Sequence, residues 1–168
     1  MKIASQKSVE LIHVAKLIED IPIAMLTTLD ADGALASRSM TALEMDAQGA
    51  LWFFTNVQSS KVEHLRAVNL SSTDRDQGAY VSLSGRGEID TDRTRIQRLW
   101  NVLAKPWFPD GPDSSNLALL KFIPDRADYR DGPSSKMVRA FGMIASVIAD
   151  KPVALGEHGS HTALSAPA

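Results

Sequence analysis

Two basic side chains and an aromatic run are the residues of this chain whose types and spacing could do chemistry. Arg38 lies in a segment with the character of a β-strand, and Lys61 follows two serines that predict the start of a helix. Between them, Trp52, Phe53 and Phe54 lie in a second strand-like segment. Two cations and the free N–H groups of a helix N-terminus can bind a phosphate, and the apolar side chains can hold a flat ring. The spacing therefore predicts a site for a mononucleotide such as a flavin.

Arg38 is the first candidate phosphate ligand. Because side chains alternate along a strand, it shares a face with small and apolar residues. These are Ala36, Met40 and Ala42. A guanidinium in such surroundings is unfavourable unless it meets an anion or water, so we favour an anion ligand. The alternative is an arginine that extends to solvent or pairs with Glu44, which the same alternation predicts on that face.

Lys61 is the second candidate. It follows Ser59 and Ser60 in the first turn of the predicted helix, where the helix dipole favours negative charge. A lysine there is poor for helix stability, but with the serine hydroxyls and backbone N–H groups it is well placed for a phosphate. Taken alone, Lys61 would be interpreted as a solvated surface residue. The presence of Arg38 two strands away changes that interpretation.

The aromatic run must divide between two faces because consecutive side chains of a strand point in opposite directions. We expect Trp52 and Phe54 to pack in a core or against a helix. Phe53 and Thr55 share the other face, which is the predicted ligand side. Backbone groups of this strand could hydrogen-bond the polar edge of a flavin.

Trp107 lies in a loop bounded by Pro106 and Pro109, where neither regular helix nor central strand is expected. Large aromatic residues on loops often bind a ligand or fill a partner's pocket. The alternative is a tryptophan that plugs the core.

Composition excludes several classes of protein. The chain has 168 residues, enough for one domain, with 44% apolar and 23% charged residues and a net charge of -2. That charge gives no reason to expect binding to nucleic acid or to a membrane surface. Cysteine is absent, which excludes disulfides and thiolate chemistry. We predict no metal site, although His158 and His161 have a metal-like spacing, and we predict a cytoplasmic location.

Hydrophobic periodicity predicts the elements that carry these residues. The predicted strands cover residues 23–29, 34–45, 51–55, 70–73, 79–89, 117–123 and 127–131, the last two divided by Pro124. A first helix carries Leu11, Val14, Ala15 and Ile18, a short one carries Val62, Leu65 and Val68, and a third, capped by Asp92, carries Ile96, Leu99, Trp100 and Leu103. A last helix is predicted at 136–149. Together these elements indicate a mainly β protein, a closed or nearly closed antiparallel barrel with flanking helices.

The chain resembles the pyridoxamine 5′-phosphate oxidase-like, flavin-binding split-barrel superfamily, and within it the general stress protein 26 group. The resemblance covers about residues 8–148 and depends on the order and spacing of several motifs. These are Asp32-Gly33, Arg38-Ser39-Met40, Gly49-x-Leu51-Trp52-Phe53-Phe54-Thr55, Ser59-Ser60-Lys61, Ser84-Gly85-Arg86-Gly87-Glu88, Trp100 and Trp107-Phe108-Pro109-x-Gly111.

The resemblance implies a split β-barrel homodimer with FMN at the subunit interface. Residues 1–149 would form the FMN-binding domain, and residues 150–168 a loose tail. Arg38, Lys61 and Ser60 would bind the phosphate, and Trp107 would reach the flavin from the other subunit. The ribityl chain and ring would be lined by Ser39, Met40, Phe53, Phe54 and Thr55.

The chain also departs from this family. It lacks the C-terminal arginine- and histidine-containing motif of pyridoxamine phosphate oxidases, so oxidation of that substrate is not implied. It has Arg130 where many relatives have tryptophan, and Ser39 where many have proline. The leading hypothesis is an FMN-binding, flavin-dependent oxidoreductase of the general stress type, without an assigned catalytic acid or base. The alternatives are a non-catalytic flavin-binding stress module (sensor, carrier or scavenger), a flavin-free dimeric barrel, and a deazaflavin in place of FMN.

Overall fold

The computed structural model describes residues 1–76, 78–130 and 158–162. Its strands, in chain order, are β1 (Lys2–Ile3), β2 (Ile23–Leu29), β3 (Leu35–Met45), β4 (Leu51–Asn56), β5 (Val68–Asp74), β6 (Ala79–Asp90), β7 (Leu117–Arg130) and β8 (His158–Thr162). The α-helices of the described residues are α1 (Val9–Ile18) and α2 (Arg93–Leu99), and 3₁₀ turns cover Ser60–Glu63, Val102–Ala104 and Gly111–Asp113.

The strands form a closed barrel. Strands β3, β2, β5, β6, β7 and β4 pair in that order, each antiparallel to the next, and β4 pairs back onto β3. Strand β1 lies parallel to the end of β3. The predicted antiparallel barrel is therefore confirmed.

Two tight turns set the register of the first three barrel strands. The carboxylate of Asp30 accepts the N–H groups of Asp32 and Ala34 at 3.1 and 2.8 Å. Asp46 does the same in the next turn, for the residues two and four positions further on. Gly33 and Gly49 have φ angles of 80° and 85°, which L side chains rarely adopt. Asp and Gly at these positions are typical of tight turns, so local residue types specify both hairpins.

Helix α1 covers one end of the barrel. Its buried residues are the four predicted from the sequence, Leu11, Val14, Ala15 and Ile18. The side chain of Leu11 fits against Gly49 in the turn between β3 and β4, where a Cβ would lie 2.6 Å from Leu11 Cδ2. The opposite end of the barrel therefore lies where β2 and β4 finish and where β3 and β5 begin.

A second apolar cluster lies outside the barrel wall, against the outer face of β4 and the start of β7. Helix α2 and the loop that follows it supply the covering residues, and Asp92 caps the helix by accepting the N–H of Thr94 at 2.9 Å. The buried members of this cluster are Trp52, Ile96, Leu99, Ala104, Phe108, Leu117 and Leu119.

Strand β7 is continuous, whereas the sequence predicted a break at Pro124. On one side of β7, β4 pairs with residues 117–122 and β8 with residues 126–130. Pro124 thus falls between the two neighbours, where its missing N–H is not needed. On the other side it lies opposite Gly85 at a shift in register, and a side chain at Gly85 would overlap the carbonyl of Ile123.

The predicted short helix after Ser60 is only one 3₁₀ turn. The carbonyl of Leu65 accepts the N–H of Gly87 at 2.7 Å, and Val68 pairs with Gly85, so the chain enters the sheet instead. The third helix is also shorter than predicted. It ends at Leu99, and Leu103 is 75% exposed because Asn101 caps a separate turn.

Two C-terminal predictions fall wholly or partly outside the described residues. The helix at 136–149 lies outside them, and so does most of the tail at 150–168. Within that tail, His158–Thr162 is strand β8, paired with β7 rather than loose. In the described part of the chain, no helix is long and apolar enough to cross a membrane.

Candidate functional site

Arg38 lies on the inner face of β3, toward the barrel end opposite α1. It pairs with Leu26 of β2, and its inward neighbour Met40 is buried. Its Nη1 is buried and has no hydrogen-bond partner among the described residues. A buried guanidinium nitrogen without an acceptor is unfavourable, so this position suits an anion from outside the chain.

Glu44 does not neutralise Arg38. The register of β3 against β4 shifts between Ala42 and Glu44, and after this bulge Met45 faces the core instead. Glu44 therefore lies on the outer face, where Arg98 of α2 donates to its Oε2 at 2.7 Å. The alternative of an Arg38–Glu44 pair is thus wrong.

Thr55 lies on the inner face of β4, near the same end of the barrel. It is 2% exposed, and its Oγ1 has no hydrogen-bond partner among the described residues. Ala42 pairs with Phe53, and if this register is counted on along both strands, Met40 lies opposite Thr55. Arg38 is the next inward residue of β3. The Nη1 of Arg38 and the Oγ1 of Thr55, which lack hydrogen-bond partners among the described residues, therefore lie at one end of the barrel.

Ser60 and Lys61 lie in the 3₁₀ turn Ser60–Glu63. This turn follows the end of β4 closely, since the carbonyl of Asn56 accepts the N–H of Ser59 at 3.0 Å. It therefore begins near the end of the barrel that Arg38 and Thr55 face. A single 3₁₀ turn replaces the predicted helix N-terminus, so a helix dipole contributes little there.

The aromatic run divides between the two faces of β4. Trp52 and Phe54 pack in the outer cluster, as predicted; the ring of Phe54 lies 5.7 Å from that of Trp100. Trp52 donates from Nε1 to Asp46 at 2.9 Å and lies under the guanidinium of Arg95 at 4.1 Å. Phe53 is fully buried in the barrel core, so its side chain is enclosed by protein.

Ser39 and Met40 also divide between faces. Ser39 is exposed on the outer face of β3, opposite Met25, whereas Met40 faces the core. The candidate residues gathered inside the barrel end are therefore Arg38, Met40 and Thr55. Ser39 and Phe54 lie on the outside of the same strands.

Trp107 is 73% exposed, so it does not plug the core. Its loop is anchored by the next residue, Phe108, which is buried in the outer cluster. The N–H groups of both residues bond the carbonyl of Ala104 at 3.1 Å. The loop thus presents an indole ring to the surroundings of this chain.

Sequence reasoning missed one polar residue of the barrel end, Thr28. The same alternation that placed Ala24 and Leu26 inside the barrel would have found it, because Thr28 is the next inward residue of β2.

Comparison with known proteins agrees with this fold. A sequence model of the family described as pyridoxamine 5′-phosphate oxidase like matches residues 10–153. The chain therefore belongs to this family. Among curated proteins, Protein bli-3 of Neurospora crassa is 27% identical, over 79% of this chain and 70% of that protein.

Two solved structures are the more informative neighbours. The general stress FMN/FAD binding protein of Xanthomonas citri is 32% identical and superposes with a TM-score of 0.60, over 73% of this chain and 89% of its own. A structure from Jannaschia sp. CCS1 is 24% identical and has a TM-score of 0.74 over 92% of this chain and 99% of its own, which supports the fold.

Arg38 should lower the stability of the flavin-free protein. We expect Arg38→Met to raise the free energy of unfolding by about 1–2 kcal/mol, because the unsatisfied guanidinium is removed. Urea unfolding followed by circular dichroism measures this change. The control is Arg98→Met, which breaks an exposed ion pair and should cost at most about 1 kcal/mol. A loss of stability in Arg38→Met would mean that the chain itself satisfies Arg38.

Proposed function

We propose that this protein is an FMN-binding general stress protein of the pyridoxamine phosphate oxidase-like type, and that it acts as a flavin-dependent oxidoreductase in the cytoplasm. The observation that supports this most is that the buried Nη1 of Arg38 and the hydroxyl of Thr55, at the same barrel end, both lack a hydrogen-bond partner within residues 1–76, 78–130 and 158–162. A phosphate would give both groups a partner. When bound, FMN supplies the electron and hydride chemistry, and the protein supplies binding and orientation.

The phosphate would be held by Arg38, Lys61 and Ser60. Two cations match the charge of a phosphate dianion, and a guanidinium and a hydroxyl both donate to its oxygens. A guanidinium whose nitrogen is buried inside the barrel end favours a terminal phosphate over a pyrophosphate that continues into a second nucleotide. This is the reason to propose FMN rather than FAD, given that the Xanthomonas citri relative is described as binding FMN/FAD.

The remaining candidate residues would meet the ribityl chain and ring in different ways. Met40 and Thr55 face the barrel interior and can contact the ligand next to the phosphate. Ser39 can offer its hydroxyl from the outer face of β3. Phe53 and Phe54, whose side chains pack in the two apolar clusters, would contribute backbone groups and keep β4 rigid.

A homodimer is supported by a charge-free face on the outside of β2, residues 35–41 of β3, residues 69–73 of β5 and residues 80–84 of β6. The outward residues within these bounds are uncharged, and several large apolar side chains among them are exposed. The charged side chains of Glu44 on β3 and of Arg86 and Glu88 on β6 lie beyond these bounds. These outward residues are Ile23, Met25, Thr27, Leu29, Leu35, Ser37, Ser39, Thr41, Asn69, Ser71, Thr73, Tyr80, Ser82 and Ser84.

The charged boundary of this face supports the binding of a second copy of the chain there. Beyond β6, the face ends at a charged row on β7, where Arg126 and Asp128 form an ion pair at 3.0 Å. An uncharged apolar and hydroxyl surface bounded by charge is typical of an interface core and its rim. In such a dimer the exposed Trp107 of one subunit would reach the flavin of its partner.

A flavin-binding module without turnover is the second candidate. The absence of the C-terminal arginine and histidine motif, which grips substrate in pyridoxamine phosphate oxidases, favours it.

Comparing the affinities for FMN and for riboflavin, which lacks the phosphate, distinguishes contacts to the phosphate from contacts to the ring. We expect the purified protein to bind FMN, and Lys61→Ala to weaken that binding by about 10- to 100-fold, since a charge-assisted contact is lost. Riboflavin affinity should not change. Fluorescence titration measures both constants, and Lys16→Ala, on α1 at the other end of the barrel, is the control. Failure of the wild-type protein to bind FMN would refute the proposed cofactor, and equal losses for both ligands would remove Lys61 from the phosphate site.

Reduction by nicotinamide nucleotides distinguishes the two candidates. An oxidoreductase should let NADH or NADPH bleach the bound flavin faster than free FMN, in anaerobic stopped-flow absorbance. A rate no higher than that of free FMN with either donor would favour the module.

The charge-free face can be tested with one substitution. Met25→Lys should convert the dimer to a monomer in sedimentation velocity, because two ammonium groups would be buried without partners. Ile12→Lys is the matched control, since Ile12 on α1 is 42% exposed, as is Met25, but lies off the face. A dimer that survives Met25→Lys would contradict this interface.

A further inference from the structure

Thr28 is a buried threonine to which the proposed function assigns no role. It lies on the inner face of β2 and is 2% exposed. Its hydroxyl is not one of the fully buried side-chain atoms that lack a partner within the described ranges, as the hydroxyl of Thr55 is, so its position in the sheet is what points to a role. The other inward residues of β2, Ala24 and Leu26, are apolar, so the hydroxyl is not part of a polar network along this strand.

The sheet register brings Thr28 next to Arg38. Thr28 pairs with Ala36, and Arg38 pairs with Leu26, so Thr28 and Arg38 are diagonal neighbours on the inner face. Diagonal neighbours on adjacent strands are about 7–8 Å apart at Cα, within reach of a long side chain. The hydroxyl of Thr28 and the guanidinium of Arg38 can therefore meet one ligand.

Buried polar side chains are not spread evenly over the described structure. They are Thr28, Thr55, Ser72 and Ser114. Ser72 pairs with Val81 near the end covered by α1, and Ser114 lies outside the barrel after a 3₁₀ turn. The two buried threonines thus face the same barrel end as Arg38, where the Nη1 of Arg38 and the Oγ1 of Thr55 have no hydrogen-bond partner among the described residues.

We propose that Thr28 is a further ligand of the phosphate that Arg38 binds, donating its hydroxyl hydrogen to a phosphate oxygen. This inference rests on the proposed function, because the phosphate is that of FMN. A phosphate has three acceptor oxygens, and Arg38, Thr28 and Thr55 reach it from three different strands. The protein would thus hold the anion from inside the barrel, and Lys61 and Ser60 would hold it from the turn that follows β4.

Two substitutions of Thr28 distinguish the effect of its hydroxyl on FMN affinity from the effect of its side-chain shape. Thr28→Val keeps the volume and branching and removes the hydroxyl, and we expect it to raise the dissociation constant of FMN about 10-fold. Thr28→Ser keeps the hydroxyl and should bind FMN within about twofold of wild type. Neither change should alter the affinity for riboflavin, which has no phosphate. Ser72→Ala, which removes a buried hydroxyl at the other end of the barrel, should leave both affinities unchanged.

The outcomes distinguish this inference from the function on which it rests. If wild-type protein binds FMN and Arg38→Met weakens that binding, but Thr28→Val does not, Thr28 is a structural residue and the inference is overturned. Equal losses of FMN and riboflavin in Thr28→Val also overturn it, because the effect is then on packing. Wild-type protein that binds no FMN refutes the proposed function itself. Should Thr28→Val fail to fold, Thr28→Ala takes its place: a roughly 10-fold weaker FMN affinity than that of Thr28→Ser supports the inference, and equal affinities of these two variants overturn it.

Discussion

The site depends on one electrostatic constraint, a guanidinium nitrogen of Arg38 that is buried inside the β-barrel and has no acceptor in the part of the chain that the structure describes. Barrel interiors select apolar side chains, and Leu26 and Met40 beside Arg38 follow that rule. A cation there lowers the stability of the empty protein unless something outside the chain completes it. Glu44 is a carboxylate close to Arg38 in sequence, but its side chain lies on the outer face of β3 and pairs with Arg98. That arrangement is unfavourable for an isolated barrel and suitable for an anion-binding one.

The bulge in β3 is the local feature that isolates Arg38. It puts Leu43 and Glu44 on the outer face, where Leu43 packs in the outer cluster and Glu44 pairs with Arg98. The same outer cluster holds Trp52 and Phe54 and so fixes the position of β4. One wall of the barrel therefore has two functions. Its outer side packs against α2, and its inner side presents Thr55 to the barrel end.

Two surfaces of the described residues expose large apolar side chains, the charge-free face and the loop of Trp107. The first combines apolar side chains with hydroxyl groups, and the second presents an indole ring. A dimer would cover the first surface and give the indole ring a site to fill. The barrel end would then be closed by groups from both subunits, which would exclude water from a bound ring. Arg38 and Thr55 would not depend on the second subunit for exclusion of water, because the barrel already encloses Arg38 Nη1 and the Thr55 hydroxyl.

The sequence by itself determined the parts of this protein that depend on nearby residues. The strand at 23–29 and the four buried residues of α1 were predicted, because each is set by local backbone and side-chain preferences. That Arg38 and Lys61 bind one phosphate stays a prediction, which the order of the strands permits. Tertiary structure alone decided the rest. The face of Glu44, the passage of β7 through Pro124 and the single turn after Ser60 depend on which strands pair and where their register shifts. Strand pairing and register are determined by contacts between residues far apart in the chain, so the periodicity within a single segment does not predict them.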